Sequence, residues 1–435
     1  MDRTRGIESS TEVVLAKLVP WATKGGLAVL DQALFAGANF AVNILLARWL
    51  TLADYGAYAL AYSIFLLFGT FHTALLTEPM MVFGAGKYAE HFERYLGILL
   101  RGHFRLMLPS VFILLGGSFL LGRVYSVSVQ HAFLGLALAA PLILLLWLVR
   151  RGFYVRLQPA WPTIGGVFYL VFLVTVIYGL HVGGRLSPQT TFLGMGVIAL
   201  AVSAFLLLRL NPSWVAAQGN PTAAMVVADH WRYGRWAMAT GGMQWFPTNF
   251  YYALLAVWIG LEGSGVLQAL MNLAMPALHS INALSMILLP LLVRERQQGG
   301  TRSMARTMKF ALALFLSGSV LYLGVLWGFR YEILQFLYGG KYQEYGLLPV
   351  FLVGLLPLGA SVSAALGSAL RALQRPDWLF WCYAGSSIVA VVAGIPLALT
   401  LGISGALIAI LLSSMGKDLL MLLFYKSSLR QETSS

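Results

Sequence analysis

Val167-Phe-Tyr-Leu-Val-Phe-Leu-Val174 decides the fold class of this chain. Every position in it is apolar or aromatic, so it lacks the in-out alternation of a barrel strand facing lipid on one side and water on the other. Followed outward, the apolar character holds from about 160 to 180, close to the ~20 residues a helix needs to cross roughly 30 Å of hydrocarbon. Val111–Leu121 reads the same way, and comparable runs recur along the 435 residues. The composition agrees: 59% hydrophobic and 10% charged, where a soluble domain carries about a quarter charged residues. The expected fold class is an all-α membrane protein.

Twelve spans are expected, near 25–47, 57–84, 106–122, 131–149, 160–180, 189–208, 236–259, 267–292, 310–329, 346–370, 378–399 and 403–424. With this count, most Lys and Arg fall at one set of helix ends: before span 1, within 84–105, 150–156, 209–235, 294–309 and 371–375, and from Lys417 onward. Only Arg48, Arg123, Arg185, Arg330 and Lys341 fall at the other set. Positive residues collect on the cytoplasmic side, so both termini are expected there, in a multi-pass protein of a bacterial inner membrane. The net charge of +13 is thereby explained as an orientation signal, and no nucleic-acid partner is called for.

Several activities are disfavoured. No His, Cys, Asp and Glu cluster has metal-ligand spacing, and no Ser/His/Asp set stands out. Gly84-Ala-Gly-Lys87-Tyr88 lacks the first glycine and the Ser or Thr that a phosphate loop requires. The loops expected outside are short, the longest near 329–345, leaving little room for the catalytic groups of a glycan polymerase or ligase. We therefore expect no enzyme and no resident cofactor, with H+ or Na+ as a possible coupling ion. Cys382 stands alone and forms no intrachain disulfide. Met1–Pro20, with Asp2, Glu8 and Glu12, lacks the continuous apolar core of a cleavable signal and reads as a short tail or interfacial helix.

Two segments repeat at an offset of 209. Ala47, Trp49, Leu52 and Gly56 coincide with Ala256, Trp258, Leu261 and Gly265, and upstream Gly25 and Ala28 with Gly234 and Ala237. Leu157-Gln-Pro-Ala-Trp161 resembles Leu373-Gln-Arg-Pro-Asp-Trp378 with one insertion. A six-helix unit duplicated in parallel accounts for both matches. The expected division is residues 1–212 for one lobe, helices 1–6, and 213–435 for the other, helices 7–12.

Ala47-Arg-Trp-Leu50, Asp54-Tyr-Gly56, Tyr58-Ala-Leu-Ala61, Glu78-Pro79, Leu337-Tyr-Gly-Gly-Lys-Tyr342 and Ala369-Leu-Arg371 ahead of Arg375-Pro376 carry a resemblance. The chain resembles the polysaccharide-transporter branch, the O-antigen and lipid-linked oligosaccharide flippases, of the multidrug/oligosaccharidyl-lipid/polysaccharide exporter superfamily. The resemblance implies a V-shaped pair of six-helix lobes around a hydrated, often cationic cavity. It also implies a polyprenyl-pyrophosphate-linked glycan as substrate, moved by alternating access and driven by an ion gradient or product pull. Membrane lipids and other polysaccharide-assembly proteins are the implied partners.

Ionisable residues within spans are functional candidates by default, because a mid-bilayer charge costs roughly 2.5–3.5 kcal/mol on insertion scales. Asp31 suits proton or Na+ binding, or pairs with Lys24 or another cation at the rim. Glu78, beside the helix-disrupting Pro79, suits a protonation switch or a partnership with Arg105. Lys417 and Asp418 point about 100° apart and so meet different partners. Arg101 and Arg105 share a helix face, and paired guanidinium groups suit pyrophosphate. Arg150, Arg151, Lys24 and Arg48 are the other candidates for substrate binding, with phospholipid contact or snorkelling as the alternative. His72 and His279 read as core residues. Asn39, Asn43, Gln244, Asn249, Asn272 and Asn282 suit either a sugar path or interhelical hydrogen bonds. A cation-coupled multidrug exporter of the same architecture is the principal rival and should show an acidic cavity.

Overall fold

A computed structural model describes residues 3–213, 221–373 and 375–434, with side chains placed over 23–213, 221–373, 375 and 377–428. The described chain is helical and without strands. Nine of its helices are long and apolar enough to cross a membrane. The break at Gly300 divides one of these in two, and the helices Ala223–Trp258 and Pro376–Val392, outside that count, bring the passages among the described residues to twelve.

The first half supplies α1 (Arg3–Trp49), α2 (Leu52–Phe83), α3 (Phe92–Val124), α4 (Val127–Val155), α5 (Ala160–Val182) and α6 (Pro188–Leu210). Ser126 and Ser187 start α4 and α6 by accepting from the Val129 and Thr190 amides, which satisfies donors that a helix start leaves open. α7 is Ala223–Trp258, capped by Thr222. Residues 261–328 run as one helical stretch broken at Gly300, whose φ of 71° and ψ of −173° suit a residue without Cβ. This divides α8 (261–299) from α9 (301–328). A short helix, Arg330–Tyr338, precedes α10 (Leu348–Ala372). α11 begins at Pro376 and is interrupted near Ala393, where Pro396 lacks the amide that would meet the Val392 carbonyl. Gly402, at φ 58°, turns the chain into α12 (403–434).

α7, α11 and the α8–α9 pair therefore escape a count made by length and apolarity alone. Several helices also overrun the apolar stretch: α3 begins at Phe92 and α7 at Ala223, where charged residues continue the helix past the expected spans at 106 and 236. Residues 3–22 continue α1 as helix.

Within the first half, α4 packs on α3 and α6, and α1 on α5; within the second, α10 packs on α8–α9, and α12 on α10 and α11. The halves meet chiefly where α2 lies against α7 and α8. Alternation of helix direction brings most Lys and Arg to one end of the bundle, called here the basic end.

Two apolar cores follow from this layout. One joins both lobes at the far end, from Leu46, Tyr55 and Phe192 to Leu267, Val353 and Leu407, and continues down the first lobe. The other is confined to the basic half of the second lobe, around Ile281, Met304, Leu370 and Cys382. The lobes thus share a core at the far end and part from it toward the basic end.

Candidate functional site

Closure at the far end is built on backbone contact. A Cβ on Gly56 would lie 1.7 Å from the Leu261 carbonyl oxygen, and one on Gly265 would lie 3.0 Å from the Gly56 nitrogen. Beneath this contact a buried network crosses the interface. Gln268 Nε2 donates to Asn43 Oδ1 at 3.3 Å and to Asn272 Oδ1 at 3.0 Å, while Asn272 Nδ2 donates to the Tyr55 hydroxyl at 2.9 Å. Asn43 and Asn272 are therefore interhelical ties here. Above it, Lys341 donates to the Leu50 and Ala47 carbonyls, and Tyr342 donates to Ala47 at 3.2 Å. These carbonyls end α1 and have no intrahelical donor, so the second lobe supplies their cap. Arg48 joins the same clasp by donating to the Phe336 carbonyl at 3.3 Å.

Toward the basic end, α2 loosens into a π-turn at Thr73–Thr77 ahead of Pro79. Pro79 has no amide to meet the Leu75 carbonyl four residues back, and His230 of α7 donates to it through Nδ1 at 2.8 Å. That bond fixes the proton on Nδ1, so Nε2 accepts from Tyr95 at 2.6 Å. Gly234 allows the approach, since a Cβ there would lie 2.5 Å from the Ala74 oxygen. At the rim, Lys87 and Tyr88 both donate to Asp229 at 2.5 Å. The hydrogen bond from Lys87, then that from Tyr88, holds the Asp229 carboxyl below its usual range. Glu78 is exposed and accepts from Tyr233 at 3.3 Å; it does not meet Arg105.

Each lobe contains a polar cavity. The one in the first lobe, about 170 Å3, lies between Gln32 and Phe35 of α1, Thr73 and Thr77 of α2, and Trp147, Arg150, Arg151 and Tyr154 of α4. Asp31 Oδ2 receives Arg150 at 2.8 Å and Tyr154 at 2.5 Å, and the Arg150 guanidinium lies 4.0 Å from the Phe35 ring centroid. Asp31 is wholly buried and its partner nearly so. Arg150 is thus committed to Asp31, whereas Arg151, exposed on the cavity wall, forms no ion pair among the described residues and lies near the Tyr154 ring at 5.9 Å. Lys24 is exposed at the basic end of α1.

The second-lobe cavity is larger, about 400 Å3, and is lined from α7, α8, α10, α11 and α12. Gln244, Asn282, Arg371 and Lys417 reach it. Asp418 points aside to accept from Ser363 at 2.5 Å, so the adjacent Lys417 and Asp418 meet different partners. Arg101 and Arg105 line neither cavity. Arg105 is exposed on α3 beside Phe104, Leu108 and Phe112, which are also exposed.

His72 and His103 form a buried pair, Nε2 to Nδ1 at 3.0 Å, with His103 Nε2 3.0 Å from the Pro141 carbonyl. The carbonyl requires a donor at His103 Nε2, so His72 Nε2 carries the second proton and its Nδ1 is a buried, unbonded acceptor. Nothing in the spacing of His72 and His103 announces the pair. Tyr154, four residues after Arg150 on the same helix face, was legible in principle; Ser363, Arg371, Tyr383 and Lys341 were not, because their partners come from distant segments.

No protein-family model matches the sequence, and no curated protein is similar to it in sequence. Solved structures are similar in fold. An inward-facing multidrug resistance MATE family transporter of the MOP superfamily superimposes with a TM-score of 0.77 at 14% identity, covering 93% of this chain and 96% of that one. An outward-facing MATE family transporter gives 0.65 at 12% identity, covering 94% and 96%. The lipid II flippase MurJ, in an inward closed conformation, gives 0.73 at 13% identity, covering 95% and 87%. The chain thus has the two-lobed, all-helical membrane fold seen in MOP superfamily transporters.

Proposed function

We propose that this protein is a flippase that moves a polyprenyl-pyrophosphate-linked oligosaccharide across the bacterial inner membrane by alternating access. The observation that carries the reading is the charge balance of the two cavities. In each, a carboxylate is already engaged, Asp31 by Arg150 and Tyr154 and Asp418 by Ser363, while Arg151 in one and Lys417 and Arg371 in the other have no carboxylate within ion-pair distance among the described residues. Such cavities favour anions, and guanidinium matches phosphate geometry. A cation exporter needs the opposite balance. The shared far-end core and the better overlay on the inward-facing transporter support a chain held open toward the basic end. With that end cytoplasmic, the diphosphate enters along Arg151 while the polyprenyl tail stays in lipid. Coupling to H+ or Na+ and contact with other assembly proteins belong to the same proposal.

Mass spectrometry of polyprenyl-linked lipids from a gene-deletion strain tests it. A completed glycan should accumulate on polyprenyl diphosphate while surface polymer is lost. An unchanged lipid profile with altered drug sensitivity would sink the proposal in favour of a multidrug exporter.

A further inference from the structure

The second-lobe cavity differs in chemistry from the first. Its volume, about 400 Å3, lies in the range of small-ligand pockets, against about 170 Å3 for the other. Its walls carry neutral hydrogen-bonding groups, Gln244, Thr248, Asn282 and Ser414, beside Ser363 and Ser386, whose hydroxyls already donate to Asp418 and to the Ser413 carbonyl. A hydrocarbon tail would leave such groups unpaired, at a cost; a polyol satisfies donors and acceptors together. Tyr383 of α11 adds an aromatic ring to the same wall, and Lys417 lies 5.8 Å from its centroid. Lys417 and Arg371 bring two cations, and the neighbouring carboxylate of Asp418 is turned to Ser363.

We infer that this cavity is a saccharide subsite, recognising a hydroxyl-rich sugar that bears a negative charge through Lys417, Arg371 and the ring of hydroxyls and amides around them. The inference rests on the flippase reading and divides the substrate between the lobes. The narrow first-lobe cavity, with Arg151, takes phosphate; the broad second-lobe cavity takes an acidic sugar, and specificity for the glycan resides there. Orientation follows from the same chemistry: a carboxylate between Lys417 and Arg371 fixes one edge of the ring, and Gln244 and Asn282 meet hydroxyls on the others. Neutral sugars then bind without the charge-assisted contacts and so more weakly.

The test is ligand-detected saturation-transfer NMR on the full chain in lipid nanodiscs, with glucuronic acid, glucose and inorganic pyrophosphate as separate probes. Glucuronic acid should bind, glucose more weakly, and Lys417→Gln should weaken glucuronic acid about tenfold or more. A second measurement is independent of that variant's folding. Ser414→Cys, with Cys382→Ala to leave a single thiol, should react with a soluble maleimide more slowly when glucuronic acid is present. Glucuronic acid binding that ignores Lys417→Gln, together with no protection at position 414, overturns the inference. Pyrophosphate protecting position 414 better than glucuronic acid also overturns it, because the cavity then holds the carrier's phosphate. If Lys417-dependent sugar binding stands while the deletion strain's lipids are unchanged, only the transport reading fails.

Discussion

Gly56 and Gly265, 209 residues apart in the sequence, meet each other across the lobe interface: a Cβ on Gly265 would lie 3.0 Å from the Gly56 nitrogen and 3.3 Å from its Cα. α2 and α8 therefore cross at these glycines and seal the far end. Close helix approach of this kind depends on small residues at the crossing, as is general for helices in membranes.

Gly56→Ala should therefore open the far end. The new methyl meets the Leu261 carbonyl, backbone that has no rotamer to yield, and overpacking of this kind costs typically 1–3 kcal/mol. Cysteine introduced at Asn43, in a Cys382→Ala background, should become reactive to a membrane-impermeant maleimide added from the far-end side. Unchanged reactivity would show that the glycine contact does not hold the closure.

Lys341→Met removes the donor that caps the end of α1 from the opposite lobe. Hydrogen bonds to charged groups contribute about 1.5–3 kcal/mol, and partial exposure of Lys341 places the loss at the lower end. The expected result is a lower melting temperature and the same gain of far-end reactivity, with Lys341→Arg closer to the parent. Equal behaviour of the Met and Arg variants would contradict a charge-based cap.

Asp31→Asn leaves the Arg150 guanidinium buried without its counter-charge, a change worth roughly 3–5 kcal/mol at buried pairs. Asp31→Asn with Arg150→Met removes both charges and should recover much of the melting temperature lost by the single variant, read by circular dichroism in detergent. A double variant no better than the single would mean that Tyr154 or Gly166, which packs on Asp31, carries the effect.

The Asp229 contact links the lobes at the basic rim, and its pH dependence has a definite sign. Because Lys87 and Tyr88 hold the Asp229 carboxyl below its usual value of 3.8, the bond is present throughout the neutral range. It is lost only as pH falls through that lowered value, when the carboxyl takes up a proton. Spin labels at Gly86→Cys and Met225→Cys, again with Cys382→Ala, should keep their distance from neutral pH down to about 4.5, whereas Asp229→Asn should lengthen it at every pH. Separation beginning near neutral pH in the parent would assign the rim contact to some other group.

Helix count was legible because hydrocarbon imposes it: without water, each crossing segment must satisfy its own backbone and be apolar for about 20 residues. The basic-end clustering was equally legible. Where helices overran the apolar stretch, as at Phe92 and Ala223, hydropathy was silent because water tolerates charged helix as well as loop. The breaks at Gly300 and Gly402 are punctuation that an isolated glycine in an apolar sequence only suggests.

What the sequence by itself determined is thus the all-helical membrane class, the number of passages and the clustering of Lys and Arg between them. What only the tertiary structure decided is which face each helix presents and whom it meets. It tied Asp31 to Arg150 across 119 residues, turned Asp418 to Ser363 and away from Lys417, and set Arg105 beside exposed Phe104 and Leu108 and away from both cavities. The physical reason is that a nearly all-apolar helix has little amphipathic signal to fix its rotation. Packing between helices sets that rotation, and with it which of the few polar side chains face a cavity.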